Sequence, residues 1–385
     1  MTRAPQLNLV AGLAVVGCIA SLTALPAYSQ GLTLPPSGDN QKASVTQHIG
    51  LVKVTVNYSS PRVHREGQDR TGKIWGELVP YGLSDLGFND CKECPWRAGA
   101  NENTVFKITH DVKIEGKPLA AGSYGIHMIP GAEKFTVIFS KDASAWGSYW
   151  YSPKEDVLRV EVKPGKGEFQ EWLTYEFTER EPAKARLELR WENLRIPVSI
   201  SVDDPSELYF QNLQKEMHGA AGFQWSNLMA AAQFTLQSGK HLDAGLDWAQ
   251  RAVSAPFMGN ENFQTLSTLG QVQLQMGNAE AAQATFDKAI ASPSAKPVDA
   301  HQLGRQLLQQ GRKAEALKVF QTNAKKFPGQ WPVNVGLARG YAATGDTKKA
   351  LEHARLALAQ APDEINKKAL KAMVEQLEKG TAPKQ

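Results

Sequence analysis

From Leu51 to Ser59 the chain reads LVKVTVNYS, with Val52, Val54, Val56 and Tyr58 at every second position. A period of two places these side chains on one face, so the segment predicts a half-buried β-strand. The stretch from Thr104 to Lys141 continues in short apolar runs broken at Glu115-Gly116, Ala121-Gly122 and Pro130-Gly131. Such dipeptides supply the backbone angles that tight turns require. DVLRVEVKP, WLTYEFTE and KARLELRWENLRIPVSISV extend the pattern, the last alternating through Ala185, Leu187, Leu189 and Trp191. Short strands at hairpin spacing, with no helical period between them, predict an all-β antiparallel sandwich or jelly-roll-like domain.

The period changes after SVDDPSEL, where Asp203, Asp204 and Pro205 close the strand-rich half and open a helix. Gly239, Gly277, Gly311 and Gly345 then recur at separations of 38, 34 and 34, and Pro256, Pro293, Pro328 and Pro362 at 37, 35 and 34. This is a helical hairpin repeated about every 34 residues. In each unit a glycine marks the turn between two helices and a proline ends the second. Ala244, Ala282, Ala316 and Ala350 let the paired helices approach closely, and Trp248, Phe286 and Phe320 fill the groove, with Ala354 in the aromatic position of the fourth unit.

That pattern resembles the tetratricopeptide repeat, most fully in HQLGRQLLQQGRKAEALKVFQTNAKKFP through Leu303, Gly304, Gly311, Ala316, Phe320 and Pro328. The resemblance covers about 225 to 362 as four units, the first departing with Arg251 where a small residue is usual. DEINKKALKAMVEQLEK, 363 to 379, is similar to the polar-faced helix that caps such arrays. The resemblance implies an all-α helical solenoid whose concave surface binds another polypeptide. The β half resembles an exported bacterial family known only as a domain of unknown function. It does so through LVPYG (78 to 82), WRAGANENT (96 to 104), AGSYGIHMIPG (121 to 131), WGSYWYSPKEDVLRVEVKP (146 to 164) and LRWENLRIPVSI (189 to 200). Leu83 to Pro95 looks like an insertion in that framework. The family brings no catalytic residues with it.

LVAGLAVVGCIASLTAL, 9 to 25, is an apolar run followed by Ala27 and Ser29 at small-x-small positions. It predicts a signal peptide over 1–29, a mature N-terminus at Gln30, and export to the periplasm or beyond with no membrane span after cleavage. VVGC at 15 to 18 is the rival reading, a lipoprotein anchored through Cys18. After cleavage Cys91 and Cys94 are the remaining cysteines, and in an oxidising compartment a lone close pair predicts a disulfide stapling its loop. A redox centre stays open, although it needs a cysteine at a helix N-terminus, and DCKECPW has turn residues before the pair and Pro95 after it. A zinc site would need further ligands such as His110 and His127, which no spacing brings together.

Charge changes the picture only in the second half. Residues 31–205 carry 22 Lys and Arg against 24 Asp and Glu, and residues 206–385 carry 20 against 15. From Lys296 onward the count is 16 against 8, which fits solvated helical faces and, next to that, an acidic partner. Export argues against nucleic acid.

No nucleophile elbow, HExxH or phosphate-cradling glycine loop is present, and no cofactor is expected. Arg97, Glu102 and His127 are the candidate catalytic groups, a carboxylate held by a cation with a histidine for proton transfer. Arg97 and Glu102 flank Gly99-Ala100-Asn101, so a structural ion pair around a turn is the competing expectation. His127 alternates with Ile126 and Met128 and so faces away from them. Trp146, Tyr149, Trp150 and Tyr151 are candidates for a ligand-stacking surface, against plain packing. The expected organisation is a linker at 30–43, a β domain at 44–203, a leading helix at 204–224, four repeats at 225–362 and a cap at 363–385. The expected role is an exported binding or assembly module with a polypeptide partner, the alternative a periplasmic enzyme or a carbohydrate or small-ligand binder using Arg97, Glu102 and His127.

Overall fold

The computed structural model describes Met1, residues 40–87 and residues 91–381. The expected signal segment, its cleavage site at Ala27 to Ser29, and Cys18 lie outside the described residues. In chain order the strands are β1 (Gln41–Ile49), β2 (Val52–Ser60), β3 (His64–Arg65), β4 (Gln68–Asp69), β5 (Thr104–Ile108), β6 (Val112–Ile114), β7 (Lys117–Leu119), β8 (Gly122–Ile129), β9 (Phe135–Ser140), β10 (Asp156–Val162), β11 (Gly165–Glu181) and β12 (Lys184–Ser201). One antiparallel sheet runs β1-β2-β5-β8-β9-β10 and a second runs β11-β12-β6-β7. Val52, Val54 and Val56 meet Phe106, Ile126, Met128, Phe139, Leu187, Leu189 and Trp191 in one buried core, so the half is a β-sandwich. Glu115 and Gly116 both have positive φ, 47° and 78°, the geometry of a two-residue hairpin turn between β6 and β7.

Two expectations are corrected. β1 begins at Gln41 and pairs along its whole length with β2, from Gln41 against Ser60 to Ile49 against Val52, so the expected linker at 30–43 runs into the sheet. QKASVTQHI is a polar edge strand, and backbone pairing rather than an apolar face holds it. The expected short strands near the end of the domain are two long ones of 17 and 18 residues, β11 and β12, whose register shifts at three places. Those irregularities let long strands bend with the sandwich, and they break the alternation that would reveal one continuous strand.

The helices are α1 (Pro205–Met217), α2 (Trp225–Ser238), α3 (Leu242–Ser254), α4 (Phe263–Gln275), α5 (Ala279–Ala291), α6 (Pro297–Gln309), α7 (Lys313–Lys326), α8 (Trp331–Thr344), α9 (Thr347–Ala359) and α10 (Glu364–Glu378). The Asp204 carboxylate caps α1 by accepting from the Glu207 N–H at 3.2 Å, with Pro205 in the first turn. Leu208 of α1 packs against the sandwich core. Four hairpins follow, α2/α3, α4/α5, α6/α7 and α8/α9, each turning at a left-handed glycine with φ between 67° and 89°. Ala282, Ala316 and Ala350 are fully buried. The first unit differs: two residues, Lys240 and His241 (φ 54°), separate its turn glycine from the next helix where the other units have one, so the close contact moves from Ala244 to Gly245, which packs on Thr235. The apolar face of α10, through Leu370, Met373 and Leu377, covers Ala350, Ala354 and Ala357 and closes the array.

The tightest packing surrounds aromatic rings. A Cβ on Gly270 would overlap Phe286, and one on Gly304, Gly336 or Gly340 would overlap Phe320. Gly304→Ala is therefore expected to destabilise the solenoid by roughly 1–3 kcal/mol through overpacking, although alanine is the better helix former by about 1 kcal/mol. Urea unfolding followed by circular dichroism checks this, and an unchanged or raised midpoint would contradict the packing account.

Candidate functional site

Residues 79–87 and 91–100 are pinned to the sandwich by backbone pairs. Gly82 N–H donates to Pro130 at 2.8 Å, Ser84 and Cys94 exchange bonds of 3.0 and 2.9 Å, and Trp96 and Met128 exchange bonds of 2.7 and 2.8 Å. Beneath these residues lies a cavity of about 470 Å³, floored by Trp96 and Trp191 and bordered by Leu78, Leu86, Arg70 and Arg97. Trp96 and Trp191 stack at 6.4 Å and 14°, and Trp75 meets both edge to face at 5.6 and 5.9 Å. This size and aromatic lining suit a small ligand. The three tryptophans lie far apart in sequence and only Trp191 falls in a clear alternation, so no local signal assembled them.

Arg97, Glu102 and His127 do not converge. The Arg97 guanidinium donates to the Asn101 carbonyl at 2.8 Å and lies 4.8 Å over the Tyr149 ring. Glu102 instead bridges Lys42 at 2.8 Å and accepts from the Ser59 hydroxyl at 3.0 Å. Lys42 holds its carboxyl below the ordinary range. The expected Arg97 and Glu102 ion pair is thus replaced by a Lys42–Glu102 pair and by Arg97 contacts to a carbonyl and a ring, the left-handed residues Ala98 and Asn101, φ 52° and 58°, turning the chain between the two side chains. His127 does face away from Ile126 and Met128, but into a buried contact: it is 2% exposed, with Nδ1 2.8 Å from the Ser148 hydroxyl and its ring 5.2 Å from Tyr151.

The aromatic run from Trp146 to Tyr151 is held from two sides. Gly147, at φ 63°, lies against the Arg97 guanidinium, and Tyr149 receives that cation on its face. Ser148 and Tyr151 turn to His127. The Tyr151 hydroxyl donates to Asp156 at 2.8 Å and accepts from Arg159 at 2.7 Å, and burial with the Asp156 carboxylate pushes it up to about 12. Trp146 and Trp150 remain 48% and 56% exposed. Arg97 and His127 therefore clasp one loop against the sheet, and only Arg97 also borders the cavity.

Cys91 and Cys94 are buried with their sulfurs at disulfide distance and their Cα atoms 5.7 Å apart, and Cys94 borders the cavity. His110 lies against the Thr109 hydroxyl at 2.9 Å, away from them. Among the described residues no group of three or more His, Cys, Asp or Glu side chains is placed to hold a metal ion, and no helix is long and apolar enough to cross a membrane.

Burial, reinforced by the Arg97 cation and opposed by the Asp142 carboxylate, pulls His127 down to about 4. Its folded pKa lies below its unfolded value near 6.5, so the neutral ring stabilises the fold above that pH. The contribution is lost as pH falls from about 6.5 toward 4, to a total on the order of 3 kcal/mol. His301, pulled to about 4 by burial first, acts with the same sign in the solenoid. Calorimetry of the full chain between pH 7 and pH 5 is expected to show a smaller loss of stability in His127→Gln than in the parent; an identical loss would contradict a buried neutral imidazole.

Comparison with known proteins follows the same division. Residues 40–200 match the family described as a protein of unknown function, DUF2911, and residues 263–294 and 307–374 match tetratricopeptide repeats. No curated protein sequence matches the chain. Similar solved structures include MamA, at 13% identity over 40% of this chain and 88% of that one with a TM-score of 0.29. YrrB, described as a tetratricopeptide-repeat protein with an unusual peptide-binding site, is 20% identical over 43% and 83%, TM-score 0.28. TTC0263, a thermophilic repeat protein of Thermus thermophilus, is 14% identical over 45% and 91%, TM-score 0.30. The chain thus carries a domain of the DUF2911 family over residues 40–200, followed by a tetratricopeptide-repeat array.

Proposed function

We propose that this is an exported protein of the cell envelope in which the solenoid holds a polypeptide partner and the sandwich, stapled by a Cys91–Cys94 disulfide, serves as a rigid platform beside it. The observation that carries the reading is the four-hairpin array with its ends occupied: α1 joins it to the sandwich at one end and α10 buries Leu370, Met373 and Leu377 at the other. Closed ends leave the long faces of the solenoid for a partner, the use to which stacked helical hairpins lend themselves. Export is supported by the apolar run at 9–25 with Ala27 and Ser29, and by two cysteines at disulfide distance.

A second reading has one observation in its favour. The 470 Å³ cavity over Trp96 and Trp191 has the size of a small-molecule site, with Arg97 on its border. Glu102 and His127 are engaged elsewhere, so a ligand there would be bound rather than transformed by those three residues acting together.

Affinity capture with the tagged full chain and with a chain ending at Asp203 is expected to recover a polypeptide partner with the former only. Recovery by the shortened chain would move the binding site to the sandwich. Intact mass of the unreduced exported protein is expected to correspond to cleavage after Ser29 with both remaining thiols oxidised; a diacylated Cys18 or two free thiols would contradict export as a soluble, stapled protein.

A further inference from the structure

Charge is divided unevenly between the two rows of repeat helices. Of the first helices of the hairpins, α2 and α4 carry no charged side chain, α8 carries Arg339 alone, and α6 carries Asp299 and Arg305 beside His301. The second helices carry both signs, such as Asp247 with Arg251 on α3 and Asp287 with Lys288 on α5. Asp299 sits in the first turn of α6 and accepts from its own N-cap, the Lys296 N–H, at 3.0 Å. The row of first helices is left with two guanidinium groups and no other carboxylate.

Those two groups are neighbours by construction. Arg305 and Arg339 are 34 residues apart, one repeat, and so occupy the same position on adjacent first helices. Each follows or precedes a glycine seated on the Phe320 ring, Gly304 and Gly340. Among the described residues neither arginine side chain has a hydrogen bond or an ion pair, and the Arg339 Nε is buried without an acceptor. Burial and the nearby Arg305 cation both hold Arg339 below its ordinary value. Burial, then Arg339 and Arg305, depress His301 one turn earlier, so the ring is neutral at pH 7 and the positive charge rests on the two arginines. Arg339 is half-buried and Arg305 lies exposed beside it, so their mutual repulsion and the unmet Arg339 Nε cost stability, and an incoming carboxylate removes that cost. The equivalent positions in the first two hairpins are Gln233 and Gln271, so this face runs from uncharged to basic along the array.

We propose that Arg305 and Arg339 form a seat for a carboxylate-bearing segment of the polypeptide partner, on the first-helix face of the third and fourth hairpins. The inference rests on the polypeptide-binding reading and adds the chemistry of the partner: acidic where it meets α6 and α8, uncharged and polar where it meets α2 and α4. A guanidinium pair at fixed spacing offers charge-assisted, bidentate bonds that an amide side chain cannot replace.

The test is fluorescence anisotropy on the full chain with three labelled decapeptides identical except for glutamate, glutamine or lysine at alternate positions. The glutamate peptide is expected to bind at least about tenfold more tightly than the glutamine peptide, with affinity falling as salt rises. Arg305→Gln and Arg339→Gln are each expected to remove about tenfold of that affinity, while Lys318→Gln on α7, with the same change of charge, alters it less than about twofold. Arg339→Leu separates binding from folding: it is expected to raise the melting temperature while abolishing the preference for glutamate. Equal effects of the Arg305, Arg339 and Lys318 variants, or equal binding of the glutamate and glutamine peptides, would overturn the seat and leave the polypeptide-binding reading standing. Binding of none of the peptides would also overturn it, and the capture experiment then decides that reading separately.

Discussion

The solenoid depends on one contact, the Phe320 ring enclosed by three glycines. Phe320 is fully buried on α7, and Gly304 of α6 with Gly336 and Gly340 of α8 approach it so closely that none has room for a methyl group. Each glycine within a helix sacrifices about 1 kcal/mol of helix propensity, so the three together cost about as much as burying the phenylalanine returns. The arrangement therefore contributes geometry more than stability. By drawing α6 and α8 onto one ring it fixes the spacing of the residues beside those glycines, Arg305 and Arg339. A looser contact would let the helices splay and separate the two cations.

The sandwich follows a different logic, in which buried polar groups hold loops in place. Arg97 and His127, both attractive as catalytic groups by residue type, close on the loop from Gly147 to Tyr151. An imidazole buried on a sheet and kept neutral is poorly suited to exchange protons with a substrate near pH 7, whereas its bond to Ser148 holds the loop against the sheet. The cavity beyond Arg97 is made by the tryptophans instead, and its rigidity follows from the backbone pairs that pin the chain at Ser84, Cys94, Trp96 and Met128.

Much of this was legible in the sequence, for identifiable reasons. Alternation in β2 and in the middle of β12 reports a strand with one buried face, and glycine and proline at intervals near 34 report a hairpin array. Features held by backbone or by long-range contact left no such trace. β1 is polar because it is an edge strand, and the bends of β11 and β12 interrupt their period. The shift from Ala244 to Gly245 follows from one additional residue between Gly239 and α3, and the partners of Glu102, Lys42 and Ser59, lie on β1 and β2. The basic excess after Lys296 was visible as a count, but the unpaired neighbours within it, Arg305 and Arg339, are distinguished only once the helices are sorted into rows.

If Arg305 and Arg339 receive a carboxylate from a bound polypeptide, their own side chains must report it. The quantity to follow is the set of side-chain Nε–H resonances of arginine in the ¹⁵N-arginine-labelled full chain, titrated with an acidic peptide. Saturable shifts are expected in the signals assigned to Arg305 and Arg339, with Arg312, at the N-cap of α7, and Arg355, on α9, unmoved. Shifts confined to arginines of the sandwich, or spread evenly over all arginines, would contradict the seat.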